Sequence, residues 1–216
     1  MIITVDGYDG TGKTTLAKNI ERAKDFYYIE KPFILKYQEE NDCTYEEAKY
    51  KTEIIEKKLF SQMNKNDIIK YYSDALVWLK KFQNEKNIIL DRGILTLYAV
   101  VGDKKNLRLF KHYIREGAFF DYSIYLTAND FERRKRIYTN DPNDPDLKYP
   151  IEWRKNDLEE FANNQKLDYF KIVTDDKTPD EVADIANKFL DENIEKYYYE
   201  KQSLTGNGKV LIKKLK

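Results

Sequence analysis

The sequence has almost no cysteine or histidine, and this scarcity excludes several kinds of site. Its 216 residues include one cysteine, Cys43, and one histidine, His112. A single cysteine excludes an internal disulfide and a cysteine cage for a metal ion. Nothing around His112 suggests a serine–histidine–acid set, so we interpret it as a surface or half-buried residue.

Long apolar runs and an excess of charge of one sign are also missing. No stretch approaches the roughly 18 apolar residues of a membrane-spanning helix, and the N-terminus does not resemble a signal peptide. The 38 basic residues balance 38 acidic ones, which disfavours a nucleic-acid coat or a polybasic membrane binder. With 41% hydrophobic residues, the sequence predicts a folded cytoplasmic protein with neither a membrane nor a nucleic acid as partner.

Glycine and arginine are scarce, and both are clustered. Three of the eight glycines are Gly7, Gly10 and Gly12. Only eight of the 38 basic residues are arginines, and four of these are Arg92 and the three arginines of residues 133–136. These two clusters are therefore the first candidates for a functional site.

Five short apolar runs alternate with segments of helical periodicity. The predicted strands are residues 2–6, 26–29, 88–91, 122–127 and 169–174. Helices are predicted between them from the spacing of apolar residues and from capping boxes such as the one at Thr44. This alternation predicts a three-layer α/β/α fold with a five-stranded parallel sheet. Ligands of such sheets bind beyond the carboxyl ends of the strands, where we expect one crevice.

Residues 7–14 fit the phosphate-loop pattern G-x-x-x-x-G-K-[ST] and lie between a predicted strand and a predicted helix, as in P-loop NTPases. Glycines let the backbone amides approach phosphates, and the helix N-terminus favours anions. We expect Lys13 to reach the β- and γ-phosphates of ATP and the Thr14 hydroxyl to bind Mg²⁺. The residues predicted to bind the ATP phosphates are Gly7, Asp9, Gly10, Thr11, Gly12, Lys13, Thr14 and Thr15.

Two carboxylates accompany this loop. Asp9 lies inside it, where a carboxylate repels phosphate, so we expect it to bind a sugar hydroxyl of an acceptor; the alternative is a contact with loop amides. Asp91 ends the third predicted strand and is suited to Mg²⁺. Arg92 follows it and is suited to bidentate binding of an acceptor phosphate, the alternative being a structural ion pair.

A second basic cluster predicts a lid over residues 129–156. Arg133, Arg134 and Arg136 lie on a predicted helix, and a proline-containing loop follows. Such a lid would bring arginines over the transferring phosphoryl group; the alternative is a solvated helix face. We expect one P-loop domain over residues 1–200 and a C-terminal extension over residues 201–216.

A second short motif would suggest a different class of protein, the GTPases. Residues 64–67 match N-K-x-D, a guanine-reading pattern of GTPases. The match precedes the third predicted strand, whereas GTPases carry it after a later one, and Asp91 is not followed by a glycine three residues on. We therefore interpret residues 64–67 as helix surface.

The first fifteen residues resemble the thymidylate kinase family, whose phosphate loop also carries an acidic residue at the position of Asp9. Asp91-Arg92 resembles the family's D-R motif, and Arg136 falls where the family has a lid arginine. The resemblance implies Mg²⁺-ATP-dependent phosphoryl transfer to dTMP or a related deoxynucleotide, in a homodimer. It implies that Lys13 binds donor phosphates, Asp9 the acceptor 3′-hydroxyl and Arg92 the acceptor phosphate. Lys13, Arg92, Arg136 and Asp9 are the expected catalytic residues.

The acceptor motifs depart from that family. Glu30-Lys31-Pro32 stands in place of Arg-Glu-Pro, and Gly93 stands in place of an aromatic residue. Lys70 lies near the position of an arginine that faces the base, so Glu30 and Lys70 complete the expected acceptor set. Glu30 as a general base on a 5′-hydroxyl gives a deoxynucleoside kinase as the alternative. A nucleotide-binding regulatory protein and a polynucleotide 5′-kinase are further alternatives.

Overall fold

The structure is a computed structural model that describes residues 1–83, 85–144, 147 and 155–205, without the side chains of 155–157 and 198–205. The strands are β1 (Ile2–Gly7), β2 (Tyr27–Ile29), β3 (Ile88–Asp91), β4 (Tyr122–Thr127) and β5 (Tyr169–Val173). The helices are α1 (Lys13–Ala23), α2 (Pro32–Asn41), α3 (Tyr45–Gln62), α4 (Lys65–Leu79), α5 (Ile94–Val101), α6 (Leu107–Tyr113), α7 (Asp130–Asn140), α8 (Lys155–Asn164) and α9 (Pro179–Thr205).

All described strand pairs are parallel, and the strand order is β2-β3-β1-β4-β5. β1 lies at the centre and pairs with β3 on one side and β4 on the other. Its register places Val5 opposite Asp91, so the carboxyl ends of β1 and β3 lie side by side. The predicted α/β fold with a five-stranded parallel sheet is confirmed.

Helices cover both faces of the sheet because successive strand residues point to opposite sides. Ile2 faces the cluster that includes residues of α4, α5, α6 and α8, whereas Ile3 and Val5 face the cluster of α1 and α9. All three side chains are fully buried. Burying each contributes about 1.5–3 kcal/mol, so the central strand is held from both sides and gives the phosphate loop a rigid base.

Two helix starts differ from the sequence prediction. α2 begins at Pro32, directly after β2, where no helix was predicted. Proline is well suited to the first helical position, and Phe33 of this helix packs in a small cluster with residues of α3 and α4. α4 begins at Lys65, earlier than predicted, because the Asn64 side chain accepts hydrogen bonds from the first-turn amides. The N-K-x-D segment therefore starts a helix.

The predicted segment boundaries are only partly covered by the described residues. α9 continues to Thr205 and so crosses the predicted domain boundary at residue 200. Residues 206–216 of the predicted extension lie outside the described residues, as do residues 145–146 and 148–154 of the predicted lid. Within the described part of the chain, every helix is too short or too polar to span a membrane.

Candidate active site

The site lies at the carboxyl edge of the sheet, where the segments that follow the strands meet. The phosphate loop, residues 7–14, connects β1 to α1. Glu30 follows β2, and Asp91 and Arg92 stand at the end of β3. Because parallel strands end at one edge, residues distant in sequence face one another there.

The phosphate loop is wound tightly around its own lysine. The Lys13 ammonium donates a hydrogen bond to the Tyr8 carbonyl over 2.8 Å, and the Thr11 hydroxyl donates to the same carbonyl over 2.7 Å. Gly7 has φ 148°, and a β-carbon there would lie 2.5 Å from the Leu126 carbonyl oxygen. The close approach of β4 therefore requires glycine at this position.

A single carboxylate oxygen joins the donor and acceptor sides of the predicted site. Asp9 Oδ1 lies 3.1 Å from Lys13 Nζ and 2.7 Å from Arg92 Nη2. Burial lowers the pKa of Lys13, although Asp9 offsets part of that effect. Burial also acts to lower the pKa of Arg92, but the Asp9 and Asp91 carboxylates outweigh it and the pKa of Arg92 is raised. The two cations share one counter-ion.

Thr14 and Asp91, the two predicted metal ligands, are in direct contact. The Thr14 hydroxyl donates to Asp91 Oδ2 over 2.5 Å, and the Tyr28 hydroxyl lies 3.4 Å from the same oxygen. Asp91 is 2% exposed, and its buried Oδ1 has no hydrogen-bond partner among the described residues. Burial raises the pKa of Tyr28, and the Asp91 charge adds to that effect. Tyr28 is thus a neutral donor at physiological pH.

This pair fits Mg²⁺. Hydroxyl and carboxylate oxygens are the ligands that Mg²⁺ prefers, and an unpartnered buried Asp91 oxygen offers a coordinating position. Among the described residues no group of three or more His, Cys, Asp or Glu side chains could hold a metal ion. A nucleotide-bound Mg²⁺ does not need such a group, since phosphates and water supply its other ligands.

The three arginines of α7 make different contacts. Arg133 is 2% exposed; its side chain lies against Gly10 and its Nη1 donates to the Asp9 carbonyl over 3.4 Å. Arg136 donates to the hydroxyl and the carbonyl of Thr174, which follows β5. Arg134 binds Asp130 over 2.6 Å and donates to the carbonyl of residue 147. Arg133 is therefore the one placed beneath the phosphate loop.

The other two predicted acceptor residues lie apart. Glu30 is exposed at the carboxyl end of β2. Lys70 is exposed on α4, two residues before Tyr72, so the two side chains point to nearly opposite sides of the helix, roughly 160° apart. Burial and Glu56 raise the pKa of Tyr72, while nearby Arg92 acts to lower it. The structure thus brings Tyr72, rather than Lys70, close to Arg92.

Several residues around the site were missed at the sequence level. Glu56 accepts a hydrogen bond from the Tyr72 hydroxyl and lies 3.3 Å from Lys31 Nζ, which joins α3 to α4 and to the start of α2. Tyr28 reaches Asp91 from the neighbouring strand. No local signal marks these side chains, because the pairings depend on how α3, α4 and β2 pack together.

A parallel sheet with a complete phosphate loop between β1 and α1 gives the chain the architecture of P-loop phosphate-binding proteins. Solved structures of nucleoside and nucleotide kinases share its fold. Deoxyadenosine kinase from M. mycoides with bound dATP has a TM-score of 0.54 and 19% identity, over 88% of this chain and 100% of that one. Thymidylate kinase from Candida albicans has a TM-score of 0.52 and 17% identity, over 89% and 91%.

The YorR protein from Bacillus subtilis, in complex with phosphorylated GDP, has a TM-score of 0.50 and 18% identity, over 89% of this chain and 98% of that one. No family model and no curated protein matches the chain by sequence. At these identities the likenesses establish the fold alone.

Proposed function

We propose that the protein is a Mg²⁺-ATP-dependent kinase of nucleoside monophosphates, with dTMP or a related deoxynucleoside monophosphate as acceptor and the diphosphate as product. The observation that carries this proposal is the pairing of Asp9 Oδ1 with both Lys13 and Arg92. One cation belongs to the donor loop and the other to the end of the neighbouring strand. In-line transfer between two phosphates needs positive charge on both sides of the transferring group.

On the donor side, Lys13 would exchange its contacts with Tyr8 and Asp9 for the β- and γ-phosphates. The N-terminus of α1 adds backbone amides and the positive end of the helix dipole. Thr14 and Asp91 would hold Mg²⁺, which supplies charge neutralisation and orients the phosphates when ATP is bound. Most of the rate enhancement would come from positioning and charge.

On the acceptor side, Asp9 would bind the sugar 3′-hydroxyl and Arg92 the monophosphate. The planar Arg92 fork suits bidentate binding of phosphate oxygens. Arg136 lies at the end of β5, on the same edge of the sheet, and would leave Thr174 to stabilise the transferring phosphoryl group. Arg133 would support the loop from below.

A second candidate is a deoxynucleoside kinase that phosphorylates a 5′-hydroxyl. The exposed carboxylate of Glu30 at the carboxyl end of β2 favours it, because a general base there would be within the same crevice. The fold likeness to deoxyadenosine kinase agrees with this candidate. Glu30 would then take the proton of the attacking hydroxyl.

One transfer assay separates the candidates. The full chain is incubated with Mg²⁺ and γ-labelled ATP, and with dTMP, other deoxynucleoside monophosphates, deoxynucleosides or an oligonucleotide with a 5′-hydroxyl. We expect transfer to a monophosphate in wild type, and loss of it in Lys13→Ala. Lys49→Ala, an exposed lysine of α3, is the matched control and should retain wild-type turnover. Near-normal turnover of Lys13→Ala would contradict the proposal.

The other outcomes are equally specific. Transfer only to deoxynucleosides selects the second candidate, and transfer only to the oligonucleotide selects a polynucleotide kinase. ATP binding without any transfer selects a regulatory protein. The homodimer implied by the resemblance to thymidylate kinases is part of the proposal, and light scattering of the purified chain measures it.

A further inference from the structure

Asp6 is a fully buried carboxylate at the centre of the sheet, one residue before the phosphate loop. It accepts five hydrogen bonds. Oδ2 accepts from the Thr4 hydroxyl over 2.6 Å and from the Ser123 hydroxyl over 2.7 Å. Oδ1 accepts from the Gly93 and Thr96 amides, each over 2.8 Å, and from the Thr96 hydroxyl over 2.7 Å. The donors come from three different elements and the turn after β3.

The Oδ1 contacts replace a helix cap. α5 starts after Gly93, whose position as N-cap carries no side-chain acceptor. Asp6 supplies that acceptor from β1. Its Oδ1 accepts hydrogen bonds from the amide of Gly93, the N-cap residue, and from the amide of Thr96, the third residue of the helix. The Thr96 hydroxyl in turn accepts from the Gly7 amide over 3.2 Å. The start of α5 and the start of the phosphate loop are thus linked through one carboxylate.

The same anchor acts on the backbone of Arg92. Arg92 has φ 83°, in the left-handed region, which is unfavourable for a residue with a β-carbon unless its surroundings hold it there. Its own amide donates to the Val5 carbonyl over 3.0 Å, and the next amide donates to Asp6. A β-carbon on Gly93 would lie 2.7 Å from the Thr4 side chain and 2.9 Å from the Asp6 carboxylate, so these two side chains fill the space that a side chain at residue 93 would need.

We propose that Asp6 is a positioning residue: its Oδ1 fixes the peptide between Arg92 and Gly93 and so holds the Arg92 guanidinium at Asp9. Without that anchor, residue 92 relaxes out of the left-handed region and its side chain leaves the Asp9 carboxylate. This inference rests on the proposed role of Arg92 in acceptor binding. It adds that the acceptor side is set by a buried carboxylate that touches no substrate.

Three variants of the full chain test the role of Asp6. Asp6→Ser removes the anchor, and Asp6→Asn keeps an acceptor oxygen for the two amides while removing the charge. The double variant Thr4→Val/Ser123→Ala removes only the Oδ2 partners. Each is assayed for kcat and for KM of ATP and of dTMP, or of the acceptor that wild type uses, with the melting temperature as the measure of folding.

We expect Asp6→Ser to lose about 100-fold in kcat/KM for the acceptor, with the KM for ATP near wild type, because a displacement near 1 Å has effects of that order. Asp6→Asn should restore most of the loss. The double variant should melt at a lower temperature yet keep kcat/KM for the acceptor. Equal losses in Asp6→Ser and the double variant, or equal loss toward ATP and acceptor, would overturn the inference.

Amide exchange gives a readout that does not depend on activity. If Asp6→Ser does not fold, exchange of the Gly93 amide is measured in wild type and Asp6→Asn. A protected Gly93 amide with retained acceptor kinetics in Asp6→Asn supports the anchor, and a freely exchanging one with the same kinetics overturns it. A wild type that phosphorylates nothing contradicts the proposed function, whereas an active wild type with an unaffected Asp6→Ser contradicts only the role of Asp6.

Discussion

At the residue scale, Asp9 decides how the charges of the site are arranged. A carboxylate in a phosphate loop opposes phosphate binding, yet here it lies within 3.1 Å of two cations. Lys13 is 4% exposed, and its ammonium would be costly to bury without that partner. Asp9 therefore offsets part of the cost of burying the Lys13 ammonium and holds Arg92 close to the loop.

Replacement of Arg92 by lysine tests its role as a phosphate ligand. Lys keeps the charge but loses the planar fork, which removes charged hydrogen bonds worth about 1.5–3 kcal/mol, or roughly 10- to 100-fold in kcat/KM for the acceptor. We expect the KM for ATP to stay near wild type. Steady-state kinetics with each substrate varied in turn measures both values.

Arg108→Lys is the control for that substitution, because Arg108 is exposed on α6 and is not one of the predicted site residues. It should leave both constants unchanged. Equal loss toward ATP and acceptor in Arg92→Lys would instead assign Arg92 to a structural ion pair with Asp9.

At the element scale, α7 is fixed to the phosphate loop. Arg133 is buried against Gly10, whose φ of 81° and lack of a side chain allow that contact. Arg136 attaches the same helix to the end of β5. The first part of the predicted lid is thus held to the phosphate loop through Arg133, and a motion of this helix would act directly on that loop.

The start of α3 gives a second prediction at this scale. Thr44 and Glu47 form a capping box, in which each side chain binds the other's backbone amide. α3 also carries Glu56, which binds Tyr72 beside Arg92. Thr44→Ala should lower the free energy of unfolding by about 1 kcal/mol because the cap is lost. Urea denaturation followed by circular dichroism measures this change.

Lys58→Ala, at an exposed position of the same helix, is the matched control. Alanine has a slightly higher helix propensity than lysine, so this variant should be as stable as wild type or slightly more so. A Thr44→Ala variant that is as stable as Lys58→Ala would show that the capping box contributes nothing to the start of α3.

At the scale of the whole molecule, ligand binding should stabilise the fold, because the phosphate loop and α1 form only in the folded state. At an ATP concentration about 100 times its Kd, the gain is about 2.7 kcal/mol, which raises the melting temperature by roughly 5–10 °C for a chain of this size. Differential scanning fluorimetry with Mg²⁺ and ATP measures it.

Two comparisons make that measurement specific. Removal of Mg²⁺ with EDTA should reduce the shift, since Thr14 and Asp91 then lose the ion that links them to the phosphates. Lys13→Ala should abolish most of it, while Lys49→Ala should keep it. A shift of the same size in Lys13→Ala would place ATP elsewhere on the molecule.

Much of the sheet was predictable and the α2 region was not. β1 and β3 are buried throughout, and so is β4 after its first residue. Local sequence reports such apolar runs directly. α2 was not predicted, although proline is well suited to the first helical position and Pro32 begins the helix here. The interpretation of residues 64–67 as helix surface likewise did not identify Asn64 as the N-cap of α4.

The sequence by itself determined the phosphate loop, the five strands and the crevice they share, because glycine conformations, strand burial and parallel pairing follow from local patterns. Only the tertiary structure decided which side chains meet: Asp9 with Arg92, Arg133 rather than Arg136 under the loop, and Asp6 with the start of α5. Each of these contacts joins residues that lie 83 or more positions apart in the sequence. Their geometry depends on packing and register, which no local pattern encodes.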